Sequence, residues 1–360
     1  MQLLNTDCLG KSLRLEASMA GWQALYWDNQ LVSQLAASVD NEGEKSHNFQ
    51  LQTPDELVNI ELNSTLTWQP FSFKYELRVN QNIVEEGARN EKDIERQPVV
   101  HQKPARKKIS VIGLFSFGFK LLKSAKVIKV LFAGASLAAY SWFFSIEFAL
   151  ALIACLVVHE YGHIRAMKYF GMKTKGIYLI PFLGGLAVSE DKINTRWQNV
   201  VISIMGPTFG LFMSVAAMIA WWVTGNIFFA GIATFNALLN LFNMLPIVPL
   251  DGGHILKSIT FSLNNKVGLI GCLLGAGLGV YISFYFGFAF LALMLLIGSL
   301  EIFAEWKMRH ESDVLPLDRY GQIVSSVWYL VTVVALVAII AYFASSGDTV
   351  LSVPLLILQS

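Results

Sequence analysis

The residues His-Glu-Tyr-Gly-His at positions 159–163 place three ionisable side chains inside a run that is otherwise apolar. His159 and His163 are four residues apart, so in a helix both imidazoles project from one face, on adjacent turns. Two such imidazoles can bind one zinc ion, and Glu160 between them can reach a water molecule beside the metal. A divalent cation would also compensate the cost of burying these groups, which is several kcal/mol in apolar surroundings. The alternative is a helix end with solvated polar groups.

A second motif, NLFNMLPIVPLDGGH at 240–254, offers a third metal ligand. Pro246 and Pro249 cannot continue a helix, so the backbone here must be irregular and holds Asp251 on a bend at the end of an apolar span. Two histidines, one carboxylate and a water molecule form a catalytic zinc set. Two roles are compatible with Asn243: stabilising the oxyanion of a tetrahedral intermediate, or bracing the bend.

Together, the two motifs resemble the site-2 protease family of intramembrane zinc metalloproteases. The family pattern is a His-Glu-x-x-His helix followed by Asn-x-x-Pro-x-x-Pro-x-Asp-Gly, and both parts are complete here, at 159–163 and 243–252. The resemblance covers about residues 130–265. It implies Zn²⁺ as the cofactor and Glu160 as the general base, and it implies three zinc ligands: His159, His163 and Asp251.

The segment SIMGPTFGLFM departs from the family pattern. Many family members have an Asn three residues after the proline of this Gly-Pro pair, where this chain has Gly210. The departure removes one polar group, so we assign the helix a packing role. Its small residues, with Gly206 and Pro207, would let it approach the helix of the first motif closely.

Residues 173–190 alternate as a β-hairpin with a turn predicted near Gly184 and Gly185. The family has a membrane-associated sheet at this place. An exposed edge strand can pair with a substrate segment that has been unwound, which presents its peptide bonds in extended form. The alternative is a structural hairpin that covers the core.

The composition is typical of a membrane protein. Of 360 residues, 54% are apolar and 15% are charged, whereas a soluble domain carries about 25% charged residues. Residues 101–130 contain eight Lys or Arg and no acid, but no uniformly basic surface points to nucleic acid. The three cysteines are widely spaced and do not form a disulfide framework.

Seven apolar segments are long enough to be predicted as membrane spans. Basic residues flank alternate ends of these segments, so the positive-inside rule predicts a multi-pass protein with a cytoplasmic N-terminus and a C-terminus on the opposite side. The size of the chain and the family resemblance imply an inner membrane. The predicted spans are 130–146, 147–168, 199–223, 226–246, 267–285, 287–305 and 323–345.

The fold class is therefore a polytopic α-helical membrane protein with an N-terminal soluble all-β domain, predicted at residues 1–95 from short alternating runs separated by turn residues. GWQALYWDNQLVSQ and FKYELRVNQNIVEEG resemble the β-sandwich of the Fas apoptotic inhibitory molecule family, and an unrelated β module fits equally well. A basic linker with an interfacial amphipathic helix is predicted at 96–129. The metalloprotease core follows at 130–265, and further transmembrane helices at 266–360.

The function expected from these features is zinc-dependent cleavage of transmembrane segments in single-span membrane proteins, near the cytoplasmic face and within the lipid bilayer. The resemblance to site-2 proteases implies that this cleavage serves regulated intramembrane proteolysis. Signal-peptide or secreted-peptide processing fits the same site. A non-catalytic metal-binding scaffold is a rival, but a metal carrier has no need for Glu160 beside its first ligand. A zincin acting on soluble peptides would need an open aqueous face. The cytoplasmic β domain is expected to recruit a substrate or regulator.

Overall fold

The structure is a computed structural model of the chain. It describes most of the N-terminal region, most of residues 126–263 with the site residues among them, residues 314–345, and isolated positions between 270 and 300. The described stretches are 1–19, 21–36, 42–52, 57–97, 126–143, 145–180, 184–189, 191–246, 248, 250–263 and 314–345.

The N-terminal region is all-β, as predicted, and consists of two antiparallel four-stranded sheets with strand orders β1-β2-β3-β4 and β5-β6-β7-β8. The resemblance to one particular β-sandwich family stays a prediction. The strands are β1 Gln2–Cys8, β2 Lys11–Ala17, β3 Gln23–Trp27, β4 Gln30–Leu35, β5 Gly43–Gln52, β6 Leu57–Trp68, β7 Phe71–Val79 and β8 Asn82–Asn90.

One hydrophobic core lies between the two sheets. Every second residue of β6 is buried, and these side chains pack with inward-facing residues of β1 and β2, such as Leu3 and Leu13. A tight turn joins β7 and β8: Asn80 and Gln81 both have positive φ, as a two-residue hairpin turn requires. Alternation and turn chemistry therefore account for this domain.

Seven continuous helices are described. Their bounds are α1 Glu91–Arg96, α2 Lys126–Phe143, α3 Ile146–Tyr169, α4 Arg196–Thr224, α5 Ile227–Asn243, α6 Asp251–Leu263 and α7 Arg319–Ala344.

Three of these helices, α3, α4 and α7, are long and apolar enough to cross a bilayer, and α5 is a shorter apolar helix of 17 residues. The chain is thus a membrane protein with an N-terminal β domain. The prediction of seven spans is not confirmed, because the segments at 267–285 and 287–305 lie almost entirely outside the described residues. The predicted interfacial helix also lies outside them, except where α2 begins at Lys126.

A two-stranded sheet follows α3. Strands β9 Thr174–Ile180 and β10 Gly184–Ser189 are antiparallel, with Gly184 opposite Ile180. The predicted hairpin is present, and the chain reverses between Ile180 and Gly184, next to the predicted position. Gly185 lies inside β10 and is required for a steric reason, described below.

The β domain packs directly on the membrane core. Leu315, just before α7, is 1% exposed and belongs to the hydrophobic core of the β domain. The Leu315 backbone also bridges to Thr195, which caps α4. From the other side, the Gln69 side-chain amide donates to the carbonyl of Leu317 at 3.0 Å, and the Gln198 amide of α4 donates to the carbonyl of Glu95 at 2.9 Å. The N-terminal ends of α4 and α7 are therefore both fixed against the β domain.

Candidate metal centre

Three side chains from two distant parts of the sequence converge in the membrane core. The Nε2 atoms of His159 and His163, both on α3, are 3.1 Å apart. The Oδ2 atom of Asp251, the first residue of α6, lies 3.2 Å from Nε2 of His159 and 3.5 Å from Nε2 of His163. Both histidines are buried and the Asp251 side chain is nearly so. The three side chains thus form one compact donor group.

The hydrogen bonds of the two Nδ1 atoms, which face away from Asp251, show which ring nitrogens are free to bind a metal. Nδ1 of His163 lies 2.7 Å from the carbonyl oxygen of Ile202, which can only accept a hydrogen bond. Nδ1 of His159 lies 2.8 Å from Oδ1 of Asn240. A proton on each Nδ1 leaves both Nε2 atoms as bare acceptors beside the carboxylate of Asp251. Three lone-pair donors in contact repel one another unless a cation lies among them.

The separations fit a zinc ion. Tetrahedral ligands about 2.0–2.1 Å from zinc are roughly 3.3 Å from one another, and the three distances here are 3.1, 3.2 and 3.5 Å. Two imidazoles and one carboxylate are also the donor types of a catalytic zinc site with a fourth position left for water. His159, His163 and Asp251 could therefore hold zinc without rearrangement.

A buried polar network supports His159 from α5. The Asn240 amide nitrogen donates to the backbone carbonyl of Asn236 at 2.8 Å and to its side-chain oxygen at 2.9 Å, which directs Oδ1 of Asn240 towards the imidazole. Asn236 in turn donates to the Gly210 carbonyl and to the Ser214 hydroxyl, both at 2.8 Å. Since Asn236 and Asn240 are completely buried, this network fixes the ring of His159 through satisfied hydrogen bonds.

Gly210, where the chain departs from the family pattern, makes room for this network. A Cβ atom at position 210 would lie 2.0 Å from Oδ1 of Asn240. An asparagine side chain cannot occupy position 210 while Asn240 keeps its place. The polar group missing from α4 is thus replaced by one from α5.

Close contact between α3 and α4 depends on two other glycines. A Cβ atom at Gly162 would lie 2.2 Å from the backbone oxygen of Met205, and one at Gly206 would lie 2.4 Å from the His163 ring. The predicted close approach of these helices is therefore seen in the structure. It brings the Ile202 carbonyl within hydrogen-bonding distance of His163.

Glu160 lies between the donor group and strand β10. Its side chain is buried, interacts electrostatically with both histidines and Asp251, and accepts a hydrogen bond from the Ala187 backbone of β10. A Cβ atom at Gly185 would lie 2.3 Å from Cγ of Glu160, so only glycine lets the strand approach this carboxylate so closely. A carboxylate beside a metal and next to a strand edge is suited to accept a proton from water.

Asn243 occupies a different place from the donor group. Its side-chain amide donates to the Leu239 carbonyl, one turn earlier in α5, at 3.1 Å. This contact lies within α5, so both roles considered for Asn243, bracing the bend and stabilising an oxyanion, stay predictions. Asn236 was not singled out in the sequence, although its spacing of four residues from Asn240 within an apolar helix was an available signal.

The part of the chain that contains these residues matches a known protein family. A model described as peptidase family M50 matches residues 147–226 and 221–279. Residues 147–279 are therefore similar to this peptidase family. The match includes both metal motifs, and it confirms the predicted site-2 protease resemblance.

Three similar proteins are known by name, and two of them are named zinc metalloproteases. The chain is 37% identical over 146 residues to "Putative zinc metalloprotease sll0528" of Synechocystis sp., covering 38% of each chain. It is 29% identical over 188 residues to stage IV sporulation protein FB of Bacillus subtilis, covering 48% of this chain and 63% of the relative. It is 29% identical over 183 residues to a zinc metalloprotease of Methanocaldococcus jannaschii, covering 48% and 52%.

These matches bear on the cofactor. The M50 family and the names of two of these relatives denote zinc metalloproteases, and the donor set fits that metal, so the prediction of zinc is confirmed. The chain spans less than two thirds of the length of each of these three relatives.

Proposed function

We propose that this chain is a zinc-dependent intramembrane endopeptidase that cleaves transmembrane segments of single-span membrane proteins near the cytoplasmic face. The observation that carries the proposal is the convergence of three bare donor atoms beside the buried carboxylate of Glu160, with both histidines on α3, a helix long enough to cross a bilayer. A metal carrier would use the three donors alone. A hydrolase, in contrast, needs a carboxylate such as that of Glu160 beside the metal to accept a proton from water.

The chemistry assigned to this chain is peptide hydrolysis with Glu160 as the proton carrier. Zinc bound by His159, His163 and Asp251 would make water more acidic and polarise the scissile carbonyl. Glu160 accepts the proton that the attacking water loses, and then delivers it to the amine nitrogen of the leaving peptide. The hydrogen bond from the Ala187 backbone holds the carboxylate in place for both transfers.

Strand β10 is suited to present the substrate. Among the described residues it pairs only with β9, so its other edge carries backbone groups that can pair with an extended peptide. A helical substrate hides its carbonyls in internal hydrogen bonds, whereas a segment unwound onto β10 exposes them next to Glu160. We propose that the substrate binds in this way.

The remaining assignments follow the topology predicted from charge. The protein lies in an inner membrane with its N-terminus in the cytoplasm, and the released product acts in regulated intramembrane proteolysis. The β domain recruits or filters substrates. In its support, the domain packs against the ends of α4 and α7 on one side of the core.

The decisive experiment compares Glu160→Gln with His159→Ala in the full chain. Glu160→Gln should keep its zinc and lose cleavage of a membrane-embedded single-span reporter, whereas His159→Ala should lose both. Retained cleavage by Glu160→Gln would refute the enzymatic role of this residue. A wild-type protein that binds zinc and cleaves no membrane-embedded segment, signal peptides included, would favour the scaffold.

The role of the β domain needs a separate test. Deletion of residues 1–95 should change which reporters from a panel are cleaved, with zinc content measured in parallel because the deletion exposes Leu315. An unchanged reporter profile with zinc retained would contradict the recruiting role.

A further inference from the structure

Helix α7 lies outside the residues matched by the family model, which end at 279, yet it packs on the elements that build the metal centre. Its buried residues, such as Leu336 and Ile340, belong to the same hydrophobic core as residues of α4, α5 and α6. The Trp328 indole donates to the Thr208 hydroxyl of α4 at 3.1 Å. The helix therefore forms part of the surroundings of the site.

One residue of α7 reaches the bend that carries Asp251. The Tyr329 hydroxyl donates to the backbone carbonyl of Met244 at 2.7 Å. Met244 is the C-cap of α5, where carbonyls no longer have helical partners. Pro246, two residues later, does not allow the helix to continue. Tyr329 thus satisfies a carbonyl that the proline-containing bend leaves without a helical donor.

The same carbonyl touches the residue next to the metal ligand. A Cβ atom at Gly252 would lie 2.1 Å from the Met244 oxygen and 2.4 Å from its carbon, so the backbone of Gly252 rests directly against this peptide group. Gly252 follows Asp251 at the start of α6. A shift of the Met244 carbonyl would therefore move the start of α6 and, with it, the carboxylate of Asp251.

We propose that Tyr329 is a positioning residue for Asp251, and that α7 sets the geometry of the metal centre through this hydrogen bond. The inference rests on the proposed function for its metal. The segment before α7 is fixed by the β domain, since Leu315 is buried in that domain's core and the Gln69 amide binds the Leu317 carbonyl. The position of Tyr329 therefore depends on two sets of contacts: those that fix the segment before α7 to the β domain, and those that pack α7 in the hydrophobic core.

The test compares Tyr329→Phe with Tyr342→Phe in the full chain. Both changes remove one hydroxyl from α7, and Tyr342 accepts a hydrogen bond from the Trp222 indole at 3.0 Å near the other end of the helix. Tyr329→Phe should weaken zinc binding about threefold to tenfold, the size expected for one buried hydrogen bond. It should also change the visible spectrum of the cobalt-substituted protein, which reports ligand geometry. Tyr342→Phe should do neither.

A second readout needs no metal. In the apo protein, amide hydrogen exchange of residues 244–252 should be faster in Tyr329→Phe and unchanged in Tyr342→Phe. Equal zinc affinity and equal exchange in both variants would overturn the inference, as would equal losses in both. If the wild-type protein binds zinc but cleaves no membrane segment, the proposed function fails, while the comparison of the two variants still decides the role of Tyr329.

Discussion

Oδ1 of Asn240 lies 2.8 Å from Nδ1 of His159 although the two residues are 81 positions apart in the sequence. Both side chains are buried, and Asn240 is oriented by its own bonds to Asn236. An acceptor at this place keeps the proton on Nδ1 and leaves Nε2 free to bind a metal.

Replacing Asn240 with Ala should therefore weaken zinc binding by about 10- to 100-fold, the usual effect of losing a partner that orients a metal ligand. Chelator competition in detergent measures the change. Asn243→Ala is the matched control, because among the described residues the Asn243 amide binds a carbonyl of its own helix and no other group, and it should keep its zinc affinity. Equal affinities in wild type and Asn240→Ala would contradict the orienting role. If Asn243→Ala keeps zinc yet loses cleavage, the oxyanion role of Asn243 is supported.

The contact between α3 and α4 gives a second prediction. Gly162→Ala places a Cβ atom 2.2 Å from the Met205 backbone oxygen, so one helix must move. We expect a loss of about 1–3 kcal/mol in the free energy of unfolding together with weaker zinc binding, since the movement draws the Ile202 carbonyl away from His163.

Gly231→Ala on α5 is the control, because its new Cβ atom would meet only Phe148, at 3.4 Å. By helix propensity alone both substitutions would stabilise the protein by up to about 1 kcal/mol. Thermal unfolding in detergent separates the two effects. If Gly162→Ala is as stable and binds zinc as well as Gly231→Ala, the close helix contact is not required for the site.

The sequence alone located the donor group because the signals are local. Four-residue spacing puts His159 and His163 on one helix face, and the prolines before Asp251 predict the bend. The partners of these residues could not be read in the same way. Tyr329 binds a backbone carbonyl, which has no residue-type signature, and its position beside Met244 is decided by how α7 packs.

The role of Gly185 could not be read from local signals either. Paired glycines commonly mark a turn, but the requirement at Gly185 is steric and comes from Glu160 on another element. Long-range packing, and not local conformation, sets this choice of residue. The predicted spans between 267 and 305 fall almost entirely outside the described residues and stay predictions.

Gly185→Ala tests the contact between β10 and the proton carrier. The new Cβ atom would overlap Cγ and Oε1 of Glu160, which can move because it ends a flexible side chain. We expect zinc affinity to be kept and turnover of a membrane-embedded reporter to fall about 10- to 100-fold, because a displaced general base loses part of its ~10²–10⁴-fold contribution. Gly134→Ala on α2 is the control, because its Cβ atom would meet no neighbour within 4 Å in the part of the chain that the structure describes. Unchanged turnover in Gly185→Ala would argue against Glu160 acting from its position beside β10.

The β domain should lose stability in mild acid because of His47. This side chain is fully buried on β5, with its ring nitrogens 2.9 Å from the Ser33 hydroxyl and 3.0 Å from the Gln23 side-chain oxygen. Burial, with a smaller contribution from Lys45, lowers the pKa of His47 from 6.5 to about 4. Between these values the unfolded chain binds a proton that the folded domain does not.

The contribution of His47 to the free energy of unfolding should therefore be constant above pH 6.5, fall by up to about 3 kcal/mol as the pH drops from 6.5 to about 4, and level off below that. Hydrogen exchange of the β5 amides in the full-length protein, corrected for the intrinsic pH dependence, measures this fall. His47→Gln keeps a polar side chain at the same place but cannot titrate, so its profile should be flatter across the window. Identical slopes in the two proteins would show that another group controls the acid response of the domain.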